Sequence, residues 1–112
     1  MSRRTPLPGR RVRGSTSGRP IMALLDLLGR RWALRVSWEL KAGPGPTFRE
    51  LQARCEGVSS SVLAERLREL GEAGIVTHAG GGYTLTDQGS ELLSLLQPLD
   101  SWASTWRPAE PA

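Results

Sequence analysis

The stretch TFRELQARCEGVSSSVLAERLRELGEAGIVTHAGGGYTLT, residues 47–86, decides the fold. It opens on Thr47-Phe48-Arg49-Glu50, the spacing of a capping box: the threonine hydroxyl takes an orphan amide of the first turn, and the glutamate reaches back to the threonine amide. Phe48, Leu51 and Cys55 then give this helix one apolar side. Glu56-Gly57-Val58 breaks it, Ser59 caps a second helix, and Leu63, Leu67 and Leu70 form that helix's apolar stripe as far as Gly74. Ile75 to Ala79 and Tyr83 to Leu85 read as two short strands joined by Gly80-Gly81-Gly82, and Thr86 caps a further helix. Two helices across a short glycine turn, followed at once by a hairpin, describe a winged helix-turn-helix, a mainly α domain with a small β-hairpin wing. In such a pair the second helix stands exposed with a width that fits the B-DNA major groove, and the hairpin can reach the neighbouring backbone or minor groove.

Upstream, Pro20 suits the first turn of a helix that carries Ile21, Leu24, Leu25 and Leu28 at helical spacing and ends or kinks at Gly29. A second helix is predicted from about Trp32 to Lys41, stopped by Gly43-Pro44-Gly45-Pro46. Downstream, the helix capped by Thr86 runs through Leu92, Leu93, Leu95, Leu96 and Leu99 to about Trp106. The expected organisation is an arginine-rich arm over 1–19, the DNA-binding domain over 20–106 with dimerisation helices at its two ends, and a frayed tail over 107–112. The arm has six Arg among several Pro, Gly and Ser and few aliphatics, so disorder is expected.

With 112 residues there is room for one domain and no second core. The net charge of +4 is unevenly placed: all six arginines of residues 1–20 face no acid, and the remainder holds nine basic against eleven acidic residues, a net −2. Basic character thus argues for nucleic-acid contact only locally. The longest apolar run, Ile21 to Leu25, falls far short of the roughly 20 residues that span a bilayer. No membrane association is expected, and the cytoplasm is the default location. A lone Cys55 forms no intrachain disulfide, and one His with one Cys builds neither a four-ligand metal site of those residues nor a recognisable catalytic constellation, so neither enzyme activity nor a cofactor is expected. Cys55 reads as a buried core thiol and His78 as a surface histidine.

The chain resembles the HxlR-type transcriptional regulators, relatives of the MarR-like winged helices, over about Pro20 to Trp106. The resemblance rests on Leu25-Asp26-Leu27-Leu28-Gly29-Arg30-Arg31-Trp32, on Phe48-Arg49-Glu50-Leu51, on Val62 to Leu70 continuing to Gly74-Ile75-Val76, and on Tyr83-Thr84-Leu85-Thr86 with Gly89. It implies a homodimer, built largely from the first and last helices, that binds operator DNA to repress or activate nearby genes. Many relatives carry a Cys before the proline of the first helix, used by some to sense oxidants or electrophiles; Arg19 stands there in this chain, which removes that route. The basic residue often found two positions after the recognition-helix cap is Ser61, and the wing has shrunk to three glycines.

Within a recognition helix of about 60–73, Ser61, Ala64, Glu65, Arg68 and Glu72 share the outward face, and Arg66 lies on the flank of the buried arc beside Val62 and Leu70. Arg68 is the candidate for phosphate or guanine, whereas Arg66 divides between a structural ion pair and a DNA contact. Ser60 and Ser61 sit at the positive end of the helix, where hydroxyls and free amides suit a phosphate oxygen. Ala64 and Glu65 complete the candidate surface, with Arg49 and Arg54 of the preceding helix placed near the DNA backbone. Leu24, Leu28, Leu95, Leu99, Trp102 and Trp106 are the expected dimer contacts. Expected partners are double-stranded operator DNA and a second copy of the chain, with a small-molecule effector left open. The rival reading is a winged-helix interaction module without tight DNA binding, favoured by the stripped wing and by two acids on the recognition face.

Overall fold

Three of the helix starts follow from their side-chain caps. Thr47 accepts from the Glu50 amide at 3.2 Å while the Glu50 carboxylate accepts from the Thr47 amide at 2.8 Å, so the capping box opens α3, Phe48–Arg54, as predicted. Ser59 caps α4, Ser60–Glu72, by accepting from the Val62 amide, and Thr86 caps α5, Asp87–Thr105, by accepting from the Gly89 amide. In the computed structural model, which describes residues 4–41, 43 and 45–110, these follow α1, Pro20–Leu28, and α2, Ala33–Glu39. The first helix has proline in its opening turn; its end at Gly29 matches the expectation. The second is shorter at both ends than the sequence suggests: Trp32 takes a left-handed backbone, φ 74°, and stands outside the helix, and the helix ends at Glu39 with Leu40 as its C-cap. The proposed stop at 43–46 falls partly on residue 44, outside the described residues.

Two strands, β1 at Val76–Ala79 and β2 at Gly82–Leu85, pair antiparallel with Val76 opposite Leu85 and Ala79 opposite Gly82. The turn is shorter than the three glycines imply: Gly80 and Gly81 have positive φ and make it, while Gly82 belongs to β2. Gly82 is needed there for another reason. A Cβ on it would lie 2.4 Å from the Gly45 carbonyl oxygen, and the next amide, Tyr83, donates to the Pro46 carbonyl at 2.8 Å. The segment before α3 thus runs along the free edge of β2 and ties the hairpin to the helix pair.

The core gathers Leu27, Val36, Leu40, Leu51, Cys55, Val58, Leu63, Leu67, Leu70, Ile75 and Val76, with Trp32, Phe48 and Leu85 packed on its border. The stripes of α3 and α4 are therefore the buried sides, and Cys55 is a core thiol whose titration burial pushes up. A second fastening is ionic. Glu69 on α4, 1% exposed, pairs with Arg30 at the corner between α1 and α2 and with Arg66 one turn earlier on its own helix. Arg66 also donates from Nε to the Arg31 carbonyl at 2.8 Å.

Residues 4–19, expected to be disordered, follow a defined path. Gly9 donates to the Gly18 carbonyl at 2.9 Å, Val12 and Ser15 form a bridge, and positive φ at Gly9, Gly14 and Gly18 lets the loop close. The loop then docks through polar groups: the Arg13 amide donates to Asp26 at 3.1 Å, Arg30 to the Arg4 carbonyl at 2.9 Å, and Arg10 lies 3.3 Å from Glu72.

Candidate nucleic-acid interface

A turn over 55–59 separates α3 from α4, and its shape depends on Gly57, φ 106°, a backbone that residues with a Cβ rarely adopt. This turn presents the start of α4 to solvent, with Ser60, Ser61 and Ala64 exposed and Glu65 half-buried. Arg68, further along the same face, is the exposed arginine of α4. The hairpin follows α4 directly. At its tip His78 and Tyr83 stack across the strands, ring centroids 4.4 Å apart.

Of the arginines singled out from the sequence, the structure brings Arg68 alone onto the outward face of α4. Its Nε and Nη2 donate to the two oxygens of Glu65 at 3.0 and 2.7 Å, and its Nη1 lies 3.5 Å from Glu72. These carboxylates raise the Arg68 guanidinium further above its ordinary value, and the same hydrogen bonds hold the Glu65 carboxyl below the usual carboxylate range. Arg66 turns inward to Glu69 and the Arg31 carbonyl, the structural alternative of its two readings. Arg54 is half-buried and donates to the Glu39 carbonyl at 3.4 Å, so it braces α3 against α2. Arg49 is exposed and makes no ion pair among the described residues. Sequence reasoning missed Arg10, whose contact with Glu72 links the arm to the far end of the outward face of α4, because nothing local to the arm marks a partner 62 residues away.

A separate apolar surface lies on the terminal helices. Leu95, Leu99 and Trp102 on α5 and Trp106 just past its end are exposed, and the two tryptophan rings stack with centroids 5.7 Å apart. On α1, Leu24 and Leu28 are half-buried, and Ile21 and Leu25, not expected as contacts, are the more exposed pair. A groove of about 440 Å³ between α2 and α5, lined by Leu34, Trp38, Leu96 and Leu99, continues this surface. Among the described residues no group of three or more His, Cys, Asp or Glu is placed to hold a metal, and no helix is long and apolar enough to cross a membrane.

Residues 27–111 match the sequence model of the family described as HxlR-like helix-turn-helix. An HTH-type transcriptional regulator of Bacillus subtilis, YvaP, is 34% identical over 89 residues, which cover 73% of this chain and 82% of that protein. YodB, another HTH-type transcriptional regulator of that organism, is 33% identical over 97 residues, 80% of this chain and 86% of its own. The crystal structure of quinone-bound YodB superposes with a TM-score of 0.72 at 32% identity, covering 77% of this chain and 97% of that one.

Proposed function

The chain belongs to the HxlR-like helix-turn-helix family of transcriptional regulators, and from that premise we propose that it acts as a homodimer that binds operator DNA sequence-specifically, with α4 in the major groove. The observation that carries this reading is the outward face of α4: Ser60, Ser61 and Ala64 are exposed at its start and Arg68 one to two turns on, with its opposite face anchored in the core by Leu63, Leu67 and Leu70. A helix fixed on one side and polar on the other can enter the groove without losing its shape. In this reading the amides and hydroxyls of Ser60 and Ser61 meet a phosphate, Ala64 and Glu65 approach base edges, and Arg68 reads a guanine; Arg49 lies against the backbone. Arg54 and Arg66 act by holding α3 and α4 in place.

The arm over residues 1–19 contributes charge. Arg11, Arg13 and Arg19 make no ion pair among the described residues, so they are free to neutralise phosphates without reading bases. Dimerisation uses the apolar surfaces of α1 and α5. A small-molecule effector fits this scheme, since YodB has been crystallised with a quinone, but Arg19 stands where a sensing cysteine would, so thiol chemistry at that position has no part in it.

Selection of bound sequences from random duplex DNA tests the proposal: enrichment of a two-fold symmetric site supports it, and recovery of no preferred sequence by folded dimer overturns it. One observation favours the interaction-module alternative, namely that Arg68 is already paired with two carboxylates. Binding that is equally weak for every duplex at matched salt would select that alternative.

A further inference from the structure

The way Arg68 is paired carries more than neutralisation. A guanidinium has two flat edges with parallel N–H groups, a side edge of Nε and Nη2 and an end edge of Nη1 and Nη2. Glu65, one turn earlier, fills the side edge with both oxygens, at 3.0 and 2.7 Å. Among the described residues the end edge is held only by Glu72, whose Oε2 is 3.5 Å from Nη1, well beyond the length of a strong charge-assisted hydrogen bond. Glu72 is also divided, because its other oxygen lies 3.3 Å from Nη1 of Arg10 in the arm. Of the two edges able to match O6 and N7 of guanine, the end edge is thus the one left nearly open.

We propose that Glu65 is a positioning residue that presents the end edge of Arg68 to a guanine in the major groove, and that Glu72, shared between Arg68 and Arg10, is the group displaced when the base is engaged. The inference rests on the DNA-reading role of α4 given above. An arginine without such a brace has several torsions free and turns to whichever phosphate is nearest, a contact without sequence information. Glu65 removes that freedom. It also places a negative charge beside Arg68, so the phosphate backbone is repelled from the position at which a base edge, carrying no net charge, is accepted. Glu65, Arg68 and Glu72 together carry a net −1, which leaves little general attraction for DNA on this part of α4. Selectivity at one base pair then comes from orientation and repulsion acting together.

The test takes the duplex selected by the parent protein and its single base-pair variants at fixed salt, with parent, Glu65→Gln, Glu72→Gln and Arg68→Lys compared. Glu65→Gln is expected to bind unrelated DNA more tightly and to lose about tenfold of the discrimination at one G·C pair, leaving the other positions unchanged. Arg68→Lys keeps the charge but not the fork, and is expected to lose preference at that same pair. Glu72→Gln removes a contact given up only when the base is engaged, so it should tighten the duplex with that G·C pair more than the variants that lack it, and equal tightening of all duplexes overturns the displacement of Glu72. Adding Glu65→Gln to Arg68→Lys should bring no further loss there. The inference is overturned if the parent is selective and Glu65→Gln keeps its preference at every position, or if the losses from Glu65→Gln and Arg68→Lys fall on different base pairs. A parent that selects no sequence overturns it too, together with the DNA-reading role of α4, whereas the former outcomes leave that role standing. Melting curves confirm that the variants are folded, and Arg68→Lys alone still locates the base pair if Glu65→Gln is not.

Discussion

Glu69 is the centre of the fold's buried ionic contact. It is a carboxylate at 1% exposure with Arg30 and Arg66 on either side, and those guanidinium groups are themselves mostly buried. Removing it leaves two buried cations without a counter-charge, so Glu69→Ala is expected to destabilise by about 3–5 kcal/mol. Arg66→Ala should cost less, about 1–3 kcal/mol, because Arg30 still satisfies Glu69 while the Arg31 carbonyl loses its donor. Chemical denaturation of both variants checks the order, and an Arg66 variant as unstable as the Glu69 variant would refute it. Titration adds a second residue-level expectation. Glu50 is held below the ordinary carboxylate range, first by the Thr47 amide and then by the Thr47 side chain. Its folded value lies below the unfolded one, so its contribution is present above the unfolded value, about 4.3, and is lost as pH falls through the folded value. Glu50→Ala should therefore flatten the acid limb of the stability curve below about pH 4, measured by thermal melting from pH 7 downward.

At the scale of elements, the helices, the hairpin and the apolar stripes were legible in the sequence because each has a local cause: Thr47 with Glu50, Ser59 and Thr86 mark helix starts within three residues, and Leu63, Leu67 and Leu70 mark a buried face by spacing alone. What was not legible depends on contacts distant in sequence. The composition of the arm gives no sign that its backbone would close on itself or that Arg10 would find Glu72. Arg54, at an exposed-looking position on α3, turns to a carbonyl of α2 that spacing does not reveal. The bracing of Arg68 by Glu65 sits between these cases, since the three-residue interval allows a pair but does not say which edge of the guanidinium it takes. Gly89 shows how tightly the elements meet. It is buried in the first turn of α5, where a Cβ would lie 2.1 Å from the Ile75 carbonyl oxygen at the foot of the hairpin. Backbone atoms on both sides leave nothing to yield cheaply. Gly89→Ala is expected to cost about 3 kcal/mol and lower the melting temperature by roughly 10 °C or more, whereas Gly80→Ala, with open space at its Cβ, should cost only the strain of its positive φ. Equal melting temperatures for the two variants would contradict the close contact at Ile75.

The whole molecule is more extended than its length requires. Its radius of gyration is 15.1 Å, against about 13 Å for a compact chain of this size, and the longest extent is 50 Å. The reason is α5, a helix of 19 residues in which only Gly89 and Leu93 are buried. Its second half and C-cap carry Leu95, Leu99, Trp102 and Trp106 into solvent, more than half of each exposed, and α1 adds Ile21 and Leu25. Burying apolar surface is worth about 25 cal/mol per Å², so a patch of four large side chains on one helix is a standing driving force for association. The stacked tryptophans also form a rigid anchor with little side-chain entropy left to lose. A second copy meets this need symmetrically, the same patch facing itself, and would set two copies of α4 for two half-sites. Sedimentation of the parent at micromolar concentration is therefore expected to show a dimer, and Trp102→Ala with Trp106→Ala to shift it toward monomer. Because these positions lie outside the core, the double variant should keep its helical signal while its affinity for an operator falls much more than its affinity for a half-site. A monomeric parent would refute the dimer, and a double variant that stays dimeric would move the interface away from the end of α5.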